Sequence, residues 1–195
     1  MSGTHSDARI SRQVRRLETL LEERGLVTGG ALDEAIDAFL NGASPANGAR
    51  VVARAWVDEA FRTRLLDDAN SAVAELGYAS GGVQPQRLRV VANTDRVHNV
   101  IVCTLCSCYP LGLLGPSPSW YKSEAYRSRV VREPRAVLAE FGLNLPDSTA
   151  ITVWDSTSES RYMVLPLRPA GTKGLDEAAL AALVSRNALI GTAAQ

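Results

Sequence analysis

The sequence has no excess of either charge. Lys and Arg total 21, Asp and Glu total 21, and the formal net charge is therefore zero. A balanced chain lacks the basic excess that nucleic-acid proteins and polybasic membrane binders use, so we expect neither nucleic acid nor a membrane as a partner. Its 46% of apolar and 22% of charged residues are typical of a globular domain and exclude a disordered chain.

Long apolar runs are also missing. No segment approaches the ~18 apolar residues of a membrane-spanning helix. The first residues, MSGTHSDARISRQ, lack the charged-then-apolar pattern of a signal peptide. We therefore expect a cytoplasmic protein.

Cysteine is scarce but clustered. The chain of 195 residues has three cysteines, and they lie within six positions, at Cys103, Cys106 and Cys108. An odd and tightly spaced set excludes a disulfide framework. In a reducing compartment such a cluster indicates metal binding or redox chemistry.

The N-terminal region is predicted to be helical. One apolar stripe has the spacing of a helix face, and its members are Ile10, Val14, Leu17 and Leu21. A second, shorter stripe follows, and the segment NGASPANG at residues 41–48 has the composition of a loop. We predict a helical arm over residues 1–45, which packs on its own domain or wraps a partner, and a second domain over residues 46–195.

The second domain mixes helix and strand patterns. Residues 49–77 have helical periodicity, and alternating apolar residues predict strands over 88–92 and 97–102. The apolar residues of 151–153 predict a further strand, with 162–167 as its hairpin partner. Helices on both sides of a small group of strands indicate a layered domain of the α/β class.

The spacing of the three sulfurs limits the ions that they can bind. Cys103 and Cys106 are three residues apart, so a tight turn directs both thiolates inward. Cys106 and Cys108 can bind one ion only if the backbone between them also approaches it, which brings the amide nitrogens of Ser107 and Cys108 within bonding distance. Three sulfurs and two ionised amides leave one octahedral position open and suit a trivalent iron or cobalt ion.

Three other interpretations of the cluster remain. Zinc prefers four tetrahedral ligands, and the nearest fourth ligand is His98, which lies in a predicted strand and suits a structural hydrogen bond better. A cysteine-ligated iron–sulfur cluster usually needs a fourth cysteine. Inert buried thiols are common singly, but three in one loop are not.

The run VCTLCSCYP at residues 102–110 resembles the metal-binding loop of nitrile hydratase alpha subunits. The similarity covers about residues 45–191 and includes the segments VARAWVD (52–58), VHNV (97–100), WYK (120–122), YRSRVVREPR (126–135), RYMVLP (161–166) and RPAGT (168–172). Thr104 and Tyr109 are similar to the cobalt branch, because the iron branch typically has Ser and Thr at these two places.

The resemblance implies a layered α/β/β/α catalytic domain and a low-spin Co(III) centre, with Fe(III) as the alternative and no organic cofactor. It implies Cys103 as the axial ligand, with Cys106 and Cys108 in the plane beside the amides of Ser107 and Cys108. It also implies that Cys106 is oxidised to the sulfinate and Cys108 to the sulfenate. Arginines of a beta subunit would hold the oxidised groups, and an activator protein would assist metal loading.

The activity implied by the resemblance is hydration of a nitrile to an amide, with the trivalent metal as Lewis acid. Cys108, through its sulfenate oxygen, and Ser107, through its hydroxyl, are the candidate catalytic residues. Arg127 and Arg129 are interpreted as contacts to the beta subunit or as solvated helix charges.

Two residues are candidates for the substrate pocket. Gln84 falls at the position of a glutamine that lines the family's pocket, although its neighbours depart from the usual Pro-Gln-Gly. Leu111 stands where family members usually have tryptophan, and Gly112 stands where they have proline. Loss of an indole frees room beside the metal and glycine loosens the loop. The hypothesis is a bulky substrate, such as the nucleoside nitrile of the toyocamycin-type branch.

Two alternative functions stay open at this point. One is the metal-bearing subunit of the related thiocyanate hydrolase, which uses a similar centre. The other is a non-catalytic zinc-binding or metal-carrier module. The nature of the bound metal and the product formed would distinguish them.

Overall fold

The computed structural model describes residues 3–78 and 86–194. Its α-helices are α1 (Gly3–Glu23), α2 (Gly29–Gly42), α3 (Pro45–Val57), α4 (Glu59–Asp67), α5 (Ala69–Glu75), α6 (Leu111–Leu114), α7 (Glu124–Arg129), α8 (Pro134–Glu140), α9 (Glu177–Leu183) and α10 (Arg186–Ile190). A 3₁₀ helix covers Ser119–Lys122. The strands are β1 (Arg87–Ala92), β2 (Val97–Val102), β3 (Ala150–Asp155) and β4 (Ser160–Leu165).

The chain divides into two compact units, Met1–Gly42 and Ala43–Gln195. The first unit contains α1 and α2. Three members of the predicted apolar stripe of α1 are exposed, Ile10, Val14 and Leu17, and the fourth, Leu21, is half-buried. None of the helices in the described ranges is both long enough and apolar enough to cross a bilayer.

The second unit begins with three short helices. The predicted helical region over 49–77 is interrupted at Asp58 and at Asp68, and each aspartate ends one helix and begins the next. The carboxylate of Asp58 accepts a hydrogen bond from the backbone N–H of Phe61, and that of Asp68 accepts one from Ser71. Aspartate is a preferred N-cap residue because its oxygen satisfies an amide that lacks a helical partner. The Phe61 bond holds the pKa of Asp58 below the usual range, and the hydroxyl of Ser71, followed by its backbone N–H, does the same for Asp68.

The four strands form two separate parallel pairs. β1 pairs with β4, and β2 pairs with β3. β2 and β4 are in contact with each other, so the two pairs pack together. Parallel neighbours need a long connection, and the helices between β2 and β3 provide one.

The predicted hairpin of residues 151–153 with 162–167 is wrong. β3 and β4 follow each other along the chain, but each pairs with a strand from the first half of the domain. Alternating hydrophobicity identifies a strand and its buried face, but it contains no information about which strand lies beside it. The short connection between β3 and β4 therefore gave a misleading signal.

Helices pack on both pairs of strands, which confirms the predicted α/β class. α4 and α5 contact β1, α8 contacts β3, and α10 contacts both β2 and β4. The core between them is built from fully buried side chains, among them Phe61, Leu65, Val100, Ile101, Leu138, Met163 and Leu189. β2 lies in the middle of this core and leads directly into the cysteine segment.

Candidate metal centre

The cysteine segment leaves the core at the end of β2. Val100, Ile101 and Val102 are fully buried, and Cys103 is 1% exposed. The following residues turn outward, so that Cys106 is exposed and Cys108 is half-buried. A firmly packed strand therefore positions the first sulfur, while the other two lie on a loop at the surface.

The turn brings the three sulfurs together as predicted from their spacing. The Cys106 Sγ lies 3.5 Å from the Cys103 Sγ and 3.3 Å from the Cys108 Sγ. All three lie within 4.8 Å of one another. The backbone N–H of Cys106 donates to the Cys103 Sγ at 3.3 Å, which closes the first turn of the loop.

The backbone between Cys106 and Cys108 also faces this cluster. Hydrogen bonds from Cys108 and Cys103, together with those from the backbone N–H groups of Ser107 and Cys108, lower the pKa of Cys106 to about 7. Burial, followed by the bond to Cys106, raises the pKa of Cys108 to about 12. Of these two sulfurs, Cys106 is therefore the first to become a thiolate, and the two amide N–H groups lie beside it.

A carboxylate at the end of β3 holds the beginning of the loop. Asp155 accepts hydrogen bonds from the backbone N–H of Thr104 at 2.9 Å and from its hydroxyl at 2.6 Å. Next to it, the backbone N–H of Ser156 donates to the carbonyl of Val102 at 2.7 Å. The β2–β3 pairing therefore continues as side-chain bonding into the loop.

Two buried tyrosines support the loop from the core side. The hydroxyl of Tyr121 donates to the carbonyl of Cys108 at 3.0 Å, and that of Tyr126 donates to the carbonyl of Ile101 at 2.7 Å. Tyr121 is fully buried, and its ring meets the edge of Tyr109 at 5.0 Å. Burial raises the pKa of Tyr121, so it stays a hydrogen-bond donor at neutral pH.

Two arginines complete the surroundings of the loop. A single nitrogen of Arg127, its Nη1, donates to the carbonyls of both Thr104 and Cys106, at 3.3 and 3.4 Å. Arg161 is 9% exposed, and its charge acts to lower the pKa of Cys108 against the stronger effect of burial. Arg129 instead pairs with Glu133 and Glu140.

Sequence reasoning did not place Asp155, Tyr121, Arg127 or Arg161 at the site. These residues lie between 13 and 58 positions from the loop residues, and no motif spacing connects them to it. Proximity to a predicted strand end was a signal for Asp155, and the other three lie in segments that resemble the family, which gave them no particular role. The other contacts depend on how α7, the 3₁₀ helix and β4 pack against the loop.

The remaining predicted site residues have different positions. Ser107 is exposed on the loop, and Leu111 is half-buried at the first position of α6. Gln84 lies outside the described residues. His98 is buried and makes the predicted structural hydrogen bond, with its Nε2 2.7 Å from the carbonyl of Gly191 and its Nδ1 3.2 Å from the Asn93 amide.

The donor set fits a metal ion with both sulfur and nitrogen ligands. Three sulfurs share one small volume, and the two amides between them face the same point. Across residues 3–78 and 86–194, no histidine, carboxylate or further cysteine joins this group. A tetrahedral zinc site built from side chains would therefore lack its fourth ligand.

Comparisons with known proteins agree with this geometry. The family model "Nitrile hydratase, alpha chain" matches residues 8–193. The low-molecular weight cobalt-containing nitrile hydratase subunit alpha of Rhodococcus rhodochrous is 50% identical over 186 residues, which cover 95% of this chain and 89% of the relative. The gamma subunit of thiocyanate hydrolase from Thiobacillus thioparus is 43% identical over 164 residues, covering 80% and 68%.

Solved structures give the same result for the fold. A double mutant of the Fe-type nitrile hydratase from Comamonas testosteroni Ni1 superposes with a TM-score of 0.86 at 43% sequence identity. The match covers 96% of this chain and 90% of that one. The predicted resemblance is confirmed: this chain belongs to the nitrile hydratase alpha-chain family.

Proposed function

We propose that this chain is the metal-bearing alpha subunit of a cobalt nitrile hydratase, which adds water to a nitrile to form the amide. The observation that carries the proposal is the convergence of Cys103, Cys106 and Cys108 within 4.8 Å. The 50% identity to a cobalt-containing relative supports cobalt over iron. Thr104 and Tyr109, which resemble the cobalt branch, support the same choice.

The ligand set in this proposal consists of the three sulfurs and the amide nitrogens of Ser107 and Cys108. A bound Co(III) supplies Lewis acidity, which polarises a nitrile or a water molecule. Cys103 anchors the set from the core because it is buried. The exposed positions of Cys106 and Ser107 leave the outer face of the loop accessible to a substrate.

Oxidation of two ligands belongs to the proposal. With dioxygen as the oxidant, Cys106 would become the sulfinate and Cys108 the sulfenate, since thiolates on an accessible metal oxidise readily. The sulfenate oxygen of Cys108 would be the nucleophile toward the nitrile carbon, with the C≡N π pair moving to nitrogen, and water would then restore the sulfenate as the amide leaves. The Ser107 hydroxyl would support the metal site. Mass spectrometry of the active enzyme would detect two oxygens on Cys106 and one on Cys108.

A beta subunit and an activator protein are the proposed partners, with the cytoplasm as the location. Residues 1–45 form the arm that wraps the beta subunit, and the exposed stripe at Ile10, Val14 and Leu17 supports this role. Exposed apolar residues in a row are unfavourable in water and are commonly covered by a partner. Arginines of that subunit hold the oxidised cysteines, and the activator delivers the cobalt.

The proposed substrate is a nitrile bulkier than a simple aliphatic one, such as a heteroaromatic or nucleoside nitrile. Leu111 begins α6 three residues after Cys108, and leucine occupies less space than the usual tryptophan. Gln84 is proposed to line the same pocket. The variant Leu111→Trp should lower kcat/KM for a bulky nitrile and leave that for propionitrile within a few-fold. A wild-type preference for acrylonitrile or propionitrile would contradict this substrate class.

A second candidate reaction is thiocyanate hydrolysis, which the 43% identity to a thiocyanate hydrolase subunit favours. Both reactions use a triple-bonded nitrogen substrate, so the metal loop alone does not separate them. Product analysis does: a nitrile hydratase forms an amide, and a thiocyanate hydrolase forms ammonia and carbonyl sulfide. The third candidate, a zinc-binding carrier module, predicts bound zinc and no product from either substrate.

The decisive experiment is co-expression with the partner subunit in cobalt-supplemented medium, followed by metal and product analysis. We expect one cobalt per chain and amide formation. The variant Cys108→Ala should lose both, whereas Thr63→Ala, on the exposed face of α4, should keep both. One zinc per chain, or an amide yield that is unchanged in Cys108→Ala, would contradict the proposal.

A further inference from the structure

The helix that carries Arg127 is rigidly attached to the strand that feeds the metal loop. Ser123 is the N-cap of α7, and its hydroxyl accepts a hydrogen bond from the backbone N–H of Tyr126. The buried hydroxyl of Tyr126 then donates to the carbonyl of Ile101, two residues before Cys103. Because Arg127 follows Tyr126 directly, its guanidinium has a defined direction toward the loop.

The guanidinium bridges the two ends of the exposed turn. One Nη1 donates to the carbonyl oxygens of Thr104 and Cys106, which flank Leu105. Leu105 is 85% exposed, so no apolar packing holds this part of the loop. A single cation that binds both flanking carbonyls replaces the missing packing and sets the distance between Cys103 and Cys106.

Arg127 also differs from its neighbours in charge balance. Arg129, two residues further along, is neutralised by Glu133 and Glu140. Within the described ranges no carboxylate forms an ion pair with Arg127. Its guanidinium is therefore not drawn away from the loop carbonyls by an acidic partner.

The length of the two bonds is informative. At 3.3 and 3.4 Å they are longer than the usual ~2.9 Å of an N–H···O bond. Two long bonds from one shared donor hold the turn less tightly than two bonds of ordinary length would.

We propose that Arg127 is a positioning residue that closes the turn from Thr104 to Cys106 by bonding to both carbonyls, so that the three sulfurs face one point when the metal arrives. The proposal rests on the metal centre proposed above and concerns a residue outside the ligand set. Outer residues that orient metal ligands commonly change the metal affinity by about 10- to 100-fold when they are replaced.

The test is a titration of the reduced, metal-free full-length chain with Co²⁺, followed by the thiolate-to-cobalt charge-transfer absorption. We expect Arg127→Gln to bind cobalt about tenfold more weakly than the wild type, at the low end of the range for outer residues. Arg132→Gln is the matched control, because Arg132 is exposed and its side chain donates to the carbonyl of Ser128, away from the cysteine loop. Its cobalt affinity should equal that of the wild type.

Thermal unfolding of the same metal-free proteins separates positioning from general stability. Arg127→Gln should unfold within a few degrees of the wild type while it binds cobalt more weakly. The variant Arg127→Lys keeps the positive charge but loses the planar guanidinium whose Nη1 bonds to both carbonyls. It should bind cobalt with intermediate affinity. If Arg127→Gln does not fold, the comparison of Arg127→Lys with the wild type decides, and equal affinity overturns the proposal.

The outcomes for the two proposals are distinct. Equal cobalt affinity of folded Arg127→Gln and wild type overturns the role of Arg127 and leaves the metal centre intact. A wild-type chain that takes up no cobalt even with its partner subunit and the activator protein present overturns both. A weaker Arg132→Gln, equal to Arg127→Gln, also overturns the proposal, since a general loss of positive charge then explains the effect.

Discussion

β2 and the loop that follows it are adjacent in the sequence and are held in opposite ways. Five of the six residues of β2 are buried, whereas Leu105, Cys106 and Ser107 are exposed. The core side of the strand is held by apolar packing, which does not depend on the exact angle of a contact, together with its pairing to β3. The loop is held by directed bonds from Asp155, Tyr121 and Arg127.

The change occurs at Cys103, the last buried residue of the segment. Directly before it, Val100, Ile101 and Val102 pack in the core, and after it the backbone is held by single polar contacts. A site that must admit a substrate cannot be covered by its own core. Directed bonds keep its shape while they leave one side open, so stability and site geometry are controlled by different residues.

The largest expected effect is on the strand and sharpens this comparison most directly. Ile101→Ala removes a fully buried side chain and should cost about 2–5 kcal/mol of unfolding free energy. Leu105→Ala, four residues later and 85% exposed, should change the unfolding free energy by less than about 0.5 kcal/mol. Urea unfolding of the metal-free chain measures both. Similar losses in the two variants would contradict the division between packing and directed bonds.

The second expected effect concerns pH and the buried histidine of β2. Burial lowers the pKa of His98 below its ordinary 6.5. The unfolded chain then binds a proton at a higher pH than the folded one, so stability falls as pH falls below about 6.5. The slope reaches about 1.4 kcal/mol per pH unit until the folded pKa is passed.

The control for this effect is His98→Gln, which retains a donor but does not titrate. Urea unfolding at pH 7 and at pH 5.5 should show a smaller loss of stability in the variant than in the wild type. Equal losses would mean that His98 is not the group responsible. A larger loss in the variant would reverse the sign and exclude a neutral buried histidine.

The third prediction concerns Thr104 in the loop and involves a smaller loss of stability than the first two. Thr104→Val removes the hydroxyl bond to Asp155 and keeps the backbone bond, so the unfolding free energy should fall by about 0.5–1 kcal/mol. The cobalt affinity should fall severalfold, because the turn is less firmly held. Thr63→Val loses a hydroxyl bond to the backbone carbonyl of Glu59 on α4, far from the cysteine loop in sequence. It should leave cobalt binding unchanged. Equal cobalt affinities in the two variants would show that the Asp155 contact does not shape the loop.

Much of the fold could be predicted from local pattern. The strand ranges 88–92 and 97–102 are confirmed almost to the residue, because alternating and fully apolar runs are strong local signals. Within 49–77 a separate last helix was predicted with Asn70 as its cap, and the structure has this helix with Asp68 as the cap, two residues earlier. The break at Asp58 was missed because aspartate is also acceptable on an exposed helix face.

Strand pairing and the surroundings of the site could not be predicted in the same way. The hairpin of β3 with β4 was inferred from a short connection, but β1 and β2 compete for the same edges and are the actual partners. Arg127 was interpreted as a partner contact or a solvated charge. Its contact with the loop depends on where α7 packs relative to the end of β2, which the sequence does not specify.

The sequence by itself determined which atoms can meet a metal ion, because the spacing of Cys103, Cys106 and Cys108 lies within one turn of chain. It also determined most helices and strands, since periodicity is a local property. Only the tertiary structure decided that the strands pair in parallel and that Asp155, Tyr121 and Arg127 hold the loop. Hydrogen bonds act over about 3 Å, and residues far apart in the chain come that close only through the packing of the whole domain.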